Sequence, residues 1–302
     1  MATYNDNLYQ DAIVAYIGDI YYSNASYDAK IGRMRTLAET VVRRLTKHNP
    51  NSKMELGDLR TRQTLDKLGM TEPFFRNSLE IIRKGGNASN HSKVTRSGEI
   101  SMPTEENFNE VSNAMLNLYG YLYYDFFKKH EFGSNGKILT AFSLSSPSFR
   151  FGVLKEMLFS DLCNIHVVDK IRLALAKSFD LDVALDRVRQ DRKRLSQIPM
   201  PYSSEDMKLQ ILLYGMENIT AIMQKMQESV YDYLIREIPD TYHKLKAYDS
   251  VIPHYTDFEQ AKRYYLTEGI TVCFVKGKRD EICIENREKV HQNPQKLICT
   301  VN

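Results

Sequence analysis

Ile82-Arg83-Lys84-Gly85-Gly86-Asn87-Ala88-Ser89-Asn90-His91 is the stretch on which the reading of this chain turns. On a continuous helix Arg83, Asn87 and His91 stand at i, i+4 and i+8, all on one face. Each glycine costs about 1 kcal/mol inside a helix. The spacing therefore predicts a bend at Gly85-Gly86, which exposes backbone amides and lets a phosphate or another backbone come close. A guanidinium, an amide and an imidazole on one surface can handle a phosphodiester. The arginine offers a planar fork to phosphate oxygens. The histidine titrates near neutral pH and can move a proton on or off a ribose hydroxyl, and the asparagine can hold either in place. The bland alternative is a glycine turn flanked by ordinary polar residues.

Working outward, the segment before the glycines reads as a helix over 72–83, with Phe74, Phe75, Leu79, Ile81 and Ile82 as apolar positions. Upstream, residues 28–48 repeat Ile31, Met34, Ala38, Val41, Val42 and Leu45 at three- and four-residue steps, which predicts a helix with one buried stripe. Arg35, Glu39 and Arg43 stack four apart beside it as a charge ladder. Asn49-Pro50-Asn51-Ser52 ends that helix. Arg43 and His48 show arginine-to-histidine spacing of their own, but they close a helix, where cations complement the negative end of the dipole. A weaker helix over 56–68 is ended by Gly69. The first 27 residues, with an amphipathic pattern over 11–22, read as a docking arm.

Downstream, the polar residues 89–102 read as an exposed loop. Thr104, with Glu105 and Glu106 behind it, caps a long helix striped with Phe108, Val111, Met115, Leu118, Leu122 and Phe126. The same helix carries Tyr119, Tyr121, Tyr123 and Tyr124, more aromatic surface than one small bundle buries. That surplus predicts a homodimer through this bundle.

Three elements together resemble the HEPN superfamily, in the branch found beside bacterial restriction and antiphage-defence genes. They are Arg35 to Glu39, Arg83 with Gly86-Asn87 and His91, and the final helix from Asn107 to Lys129. The resemblance covers about residues 28–130, within a bundle expected to span 28–131. It implies a helical bundle that pairs with a second copy about a two-fold axis. It also implies metal-independent cleavage of RNA by Arg and His of both protomers, leaving a 2′,3′-cyclic phosphate. On that reading His91 is the general acid/base, Arg83 stabilises the phosphate and Asn87 orients. Glu39 positions Arg83 or His91 from the first helix, and Lys84, Lys93 and Arg96 take the RNA backbone. Arg83 and His91 are farther apart than in catalytic members, which keeps an alternative open: a non-catalytic dimerisation or adaptor protein that senses or inhibits a partner through its dimer and C-terminal surface.

Gly133, Asn135 and Gly136 mark a linker over 132–143, and residues 140–302 form a second domain. Helices are predicted over 147–159, 164–179 and 181–197. A longer one, capped by Ser203 or Ser204 and reaching Glu237, carries Leu209, Leu212, Leu213, Met216, Ile219, Met223 and Met226 on its apolar side. Short β-branched runs at 270–275, 281–284 and 297–301 predict a small antiparallel β-meander. The expected fold is mostly α, an N-terminal bundle followed by a helical region that ends in this meander.

Composition bounds the function classes. In 302 residues, 42% hydrophobic and 26% charged, a formal net charge of +3 announces no general nucleic-acid affinity, so a basic surface must be local. Four cysteines without a CxxC pair read as reduced thiols of a cytoplasmic protein. No apolar run is long enough for a membrane span. Cys163 and His166 have no second pair of ligands, so no metal is expected, and without a Walker A or GxGxxG pattern no nucleotide cofactor is either. The cations from Arg187 to Arg194 read as a solvated face.

Overall fold

The computed structural model describes residues 6–49, 52–90, 93–94, 100–130 and 147–248, with 132, 135, 138–139, 142–143 and 145 between them. Among these residues the chain is mostly helical and divides into two compact units. The first runs to Asp125 and includes the segment around Phe142; the second begins at Phe126 and holds the helices after Ser146. The predicted β-meander lies outside the described residues.

The first unit is built from α1 (Asp6–Tyr21), α2 (Tyr27–Leu45), α3 (Leu59–Lys67), α4 (Pro73–Asn90) and most of α5 (Glu105–Lys129). The expected docking arm is instead a helix of the core. Tyr9, Ile13, Ile17 and Ile20 are buried, and α1 packs along α2. Ser26 starts α2 by accepting the Ala29 N–H, and the stripe Ile31, Met34, Ala38, Val41 and Val42 is buried. Each of these side chains other than Ala38 contributes about 1.5–3 kcal/mol by burial. Asp58 caps α3, and Gly69, at φ +69°, closes it in the left-handed region.

The predicted bend at Gly85-Gly86 does not occur, because α4 continues unbroken to Asn90. The reason is packing. A Cβ on Gly85 would stand 2.5 Å from Val111 Cγ2, and one on Gly86 would stand 2.7 Å from Arg35 Cβ. The glycines let α5 and α2 approach α4, and the contact offsets their poor helix propensity. The predicted loop over 89–102 is shortened at both ends. Its first residues belong to α4, and Lys93–Val94 (β1) pairs antiparallel with Ile100–Ser101 (β2).

The tyrosines of α5 find places inside the monomer. Tyr119, Tyr121, Tyr123 and Tyr124 are each at most 4% exposed. Tyr121 stacks on Phe75 with centroids 3.9 Å apart and donates a 2.9 Å hydrogen bond to Glu72, while Tyr123 packs on Phe142. The surplus aromatic surface from which a bundle dimer was expected is therefore not there. The stripe reading counted one buried face, whereas α5 is covered nearly all round.

The second unit contains α6 (Pro147–Leu158), α7 (Ile165–Ser178), α8 (Leu181–Gln190), α9 (Arg192–Leu195), α10 (Ser204–Tyr214), α11 (Ile219–Gln227) and α12 (Val230–Tyr248). Its core holds Phe151, Leu154, Val168, Ile171, Leu175, Phe179, Leu234 and Ile238. Arg172 ties α7 to α12 through Thr241 at 3.0 Å and Glu237 at 3.7 Å. The helix predicted over 181–197 is divided at Asp191, whose carboxylate pairs with Lys155.

The long helix expected to reach Glu237 is also broken. Gly215, at φ +81°, ends α10, and a 3₁₀ turn (Met216–Asn218) leads into α11. Most of the apolar side predicted for it is exposed. Leu209, Leu212, Leu213, Met216 and Met223 face solvent.

Candidate functional site

The straight course of α4 decides where the candidate residues stand. Without a bend, Arg83 and Asn87 are four apart on one helical face. Arg83 does not stand free there. Its Nε donates to Glu80 Oε2 at 2.8 Å and its Nη2 to Glu80 Oε1 at 2.6 Å, a two-pronged pair one turn back along the helix. Lys84 approaches the same carboxylate at 3.6 Å and is otherwise exposed. The Arg83 hydrogen bonds hold the Glu80 carboxyl down at about 2, assisted by the charges of Arg83, Lys84 and Arg62. The guanidinium is pushed upward in turn by Glu80.

Asn87 is engaged from the neighbouring helix. Arg35 Nη1 of α2 donates to Asn87 Oδ1, while Arg35 Nε donates to Glu39 Oε1 at 3.2 Å. Glu39 Oε2 lies 3.7 Å from Arg43 Nη2, which donates to the Met54 carbonyl at 3.3 Å. The three side chains of this ladder are largely buried. Glu39 was expected to position Arg83 or His91. Among the described residues it is instead held by Arg35 and Arg43, because positions four before and four after it on α2 present two guanidinia to one carboxylate. The carboxylate that positions Arg83 is Glu80.

The packing of α2 on α4 thus joins Arg35, Glu39 and Arg43 to Asn87, with the Arg83–Glu80 pair one turn back along α4. A cleft of about 450 Å³ opens on the side of α4 that faces α5, lined by Ile31, Ile81 and Val111 and by Lys84, Asn107 and Glu110; of the candidate residues only Lys84 reaches it. It places an exposed ammonium beside apolar surface. Among the described residues, no three His, Cys, Asp or Glu side chains gather as metal ligands. No described helix is long and apolar enough to cross a membrane.

Of the residues nominated from sequence, Arg83, Asn87, Lys84 and Glu39 therefore lie along α4 and the α2 helix that packs on it. His91 and Arg96 lie outside the described residues, and of Lys93 only its backbone place in β1 is described. Sequence reasoning missed Glu80 and undervalued Arg35. Glu80 carried a usable signal, three residues before Arg83 and four before Lys84. Arg35 had none for this role, since its contact with Asn87 spans 52 positions. Compared with known protein families, with curated proteins and with solved structures, the chain matches none.

Proposed function

We propose that the first unit binds RNA along the α2–α4 seam and cleaves it without a metal ion, as an effector of the antiphage-defence kind that the HEPN resemblance suggests. The observation that supports this best is the continuous face carrying Arg83 and Asn87, with Arg35 delivered to Asn87 from α2. A phosphate takes the place of the Glu80 carboxylate on the Arg83 fork, two oxygens exchanged for two oxygens. Asn87, held by Arg35, keeps its amide nitrogen for a second phosphate oxygen or a ribose hydroxyl. The cleft beside Lys84 has the volume for one small organic group, such as a nucleoside.

The chemistry follows from the groups available. The ribose 2′-oxygen attacks phosphorus, the bond from phosphorus to the 5′-oxygen breaks, and a 2′,3′-cyclic phosphate and a 5′-hydroxyl result. His91 is assigned the proton transfers, taking one from the 2′-hydroxyl and returning one to the departing 5′-oxygen. Arg83 stabilises the charge that builds on the phosphate.

A second reading is favoured by one observation: the Arg83 fork is already filled by Glu80. On that reading the pair is a structural clasp, and the protein is an adaptor whose Arg83 and Asn87 serve packing. Incubation of total RNA with the protein in EDTA, followed by analysis of product ends, separates the two. The nuclease reading expects cyclic-phosphate ends. The adaptor reading expects intact RNA.

A further inference from the structure

The second unit sends out an arm. Pro199 and Ser229 form an isolated antiparallel bridge, with Met200 N–H donating to the Glu228 carbonyl and Val230 N–H to the Ile198 carbonyl, both at 2.9 Å. The chain between them therefore leaves and returns at one place. It holds α10, the turn at Gly215 and α11. The arm is built to persist: Ser203 and Asp206 cap α10 reciprocally.

Its apolar residues are at the surface. Leu209 is 52% exposed, Leu212 80%, Leu213 63%, Met216 62% and Met223 41%. Ile222 is the one large side chain of α10 and α11 that is buried among the described residues, and Met200 is buried at the arm's base. Five residues of this size expose on the order of 500 Å², the upper range for the largest apolar patch of a monomer. A sequence pattern suited to a core face thus lacks a cover within the described chain.

We infer that the cover is the same arm of a second copy, so that the protein dimerises through α10 and α11 about a two-fold axis. Area is the first argument. Two such patches facing each other bury about 1,000 Å² of apolar surface, and a polar rim brings this to the size of a specific interface. Charge is the second. A two-fold axis sets residues near it against their own copies, so a self-pairing surface has an uncharged centre. From Leu209 to Met216 no residue is charged, while Glu205, Asp206 and Lys208 precede this run and Glu217 follows it. The same charges disfavour a membrane surface. Between Ser204 and Glu228 two lysines stand against four acids, the wrong balance for anionic lipid. This inference does not depend on the nuclease reading.

The test is the mass of the full chain by sedimentation velocity from about 1 to 100 µM, with thermal melts alongside. Wild type is expected to be dimeric at the upper end. Leu212→Glu and, separately, Leu213→Glu are expected to raise the dissociation constant at least about tenfold, with unchanged melting of the monomer because both positions are exposed. Leu212→Glu mixed with Leu212→Lys is expected to restore dimers that neither forms alone. A wild type that stays monomeric across the range overturns the inference. So does a dimer indifferent to both substitutions, or a monomer that instead pellets with phosphatidylserine vesicles through Leu212.

Discussion

Arg35 on α2 hydrogen-bonds to the side-chain carbonyl of Asn87 on α4, and Gly86 lies against the Arg35 stem to make room for it. The two residues are joined by helix packing alone. The bond fixes which end of the Asn87 amide faces outward, because an arginine only donates and so claims the oxygen. Arg35→Ala is expected to cost about 1–3 kcal/mol, the range for removing a charged hydrogen-bond partner from a partly buried site. A double-mutant cycle with Asn87→Ala, read by urea unfolding, should show a coupling of at least about 0.5 kcal/mol. Additive effects would mean that the two side chains do not interact in solution.

The close approaches at the glycines make a second prediction. Gly85→Ala places a methyl group 2.5 Å from Val111 Cγ2, and valine has no rotamer freedom to spare. Overpacking of this kind costs about 1–3 kcal/mol, more than the roughly 1 kcal/mol that alanine gains in helix propensity. Gly85→Ala should lower the melting temperature, and adding Val111→Ala should recover part of the loss. If alanine stabilised the protein, the bend expected from sequence would be the better description of α4.

How much was legible follows from these same residues. The helices over 28–48 and 147–179 were readable because burial imposes a three- and four-residue period directly on the sequence, as with Ile31, Met34 and Ala38. Gly85 and Gly86 were misread because propensity is local, whereas their role is set by Val111 and Arg35, far along the chain. The apolar side of α10 and α11 was misread for the opposite reason. A periodic stripe reports that a face seeks cover, and it does not say that the same unit supplies it. In the site, the face shared by Arg83 and Asn87 followed from helix geometry, while the carboxylate partner of each arginine depended on distances that spacing only narrows.

The Arg83–Glu80 pair carries a pH dependence with a definite sign. The Glu80 carboxyl is depressed to about 2 by its hydrogen bonds from Arg83. A depressed carboxyl stabilises the folded state above its unfolded value near 4.5, and the contribution is lost as pH falls toward 2. Glu80→Gln should therefore flatten the acid side of the stability profile between about pH 4.5 and pH 2, with little change in slope at neutral pH. The same substitution frees the Arg83 fork. If phosphate and Glu80 compete for it, Glu80→Gln should tighten RNA binding several-fold in a filter or polarisation assay. A clasp that only packs predicts no gain.

Tyr121 supplies a prediction about the bundle core. Its ring is fully buried on Phe75, and its hydroxyl donates to Glu72. Burial and the neighbouring Glu72 carboxylate hold the phenol well above its ordinary value, so it stays protonated at any working pH. Tyr121→Phe should cost about 1 kcal/mol in chemical denaturation, with the near-ultraviolet spectrum of the remaining aromatics preserved. A neutral result would mean that Glu72 draws nothing from this bond.

The assignment of Arg83 and His91 to RNA cleavage is tested most directly by measuring cleavage and melting temperature together on wild type, Arg83→Ala and His91→Ala, in EDTA. Wild type is expected to cleave, with a loss of about 10²–10⁴-fold on His91→Ala, the range for removing a general acid/base. A comparable loss is expected on Arg83→Ala, with His91→Ala melting close to wild type. Intact RNA with the wild-type protein, together with a melting temperature lowered by many degrees in His91→Ala, would contradict the assignment and leave these residues as parts of the fold.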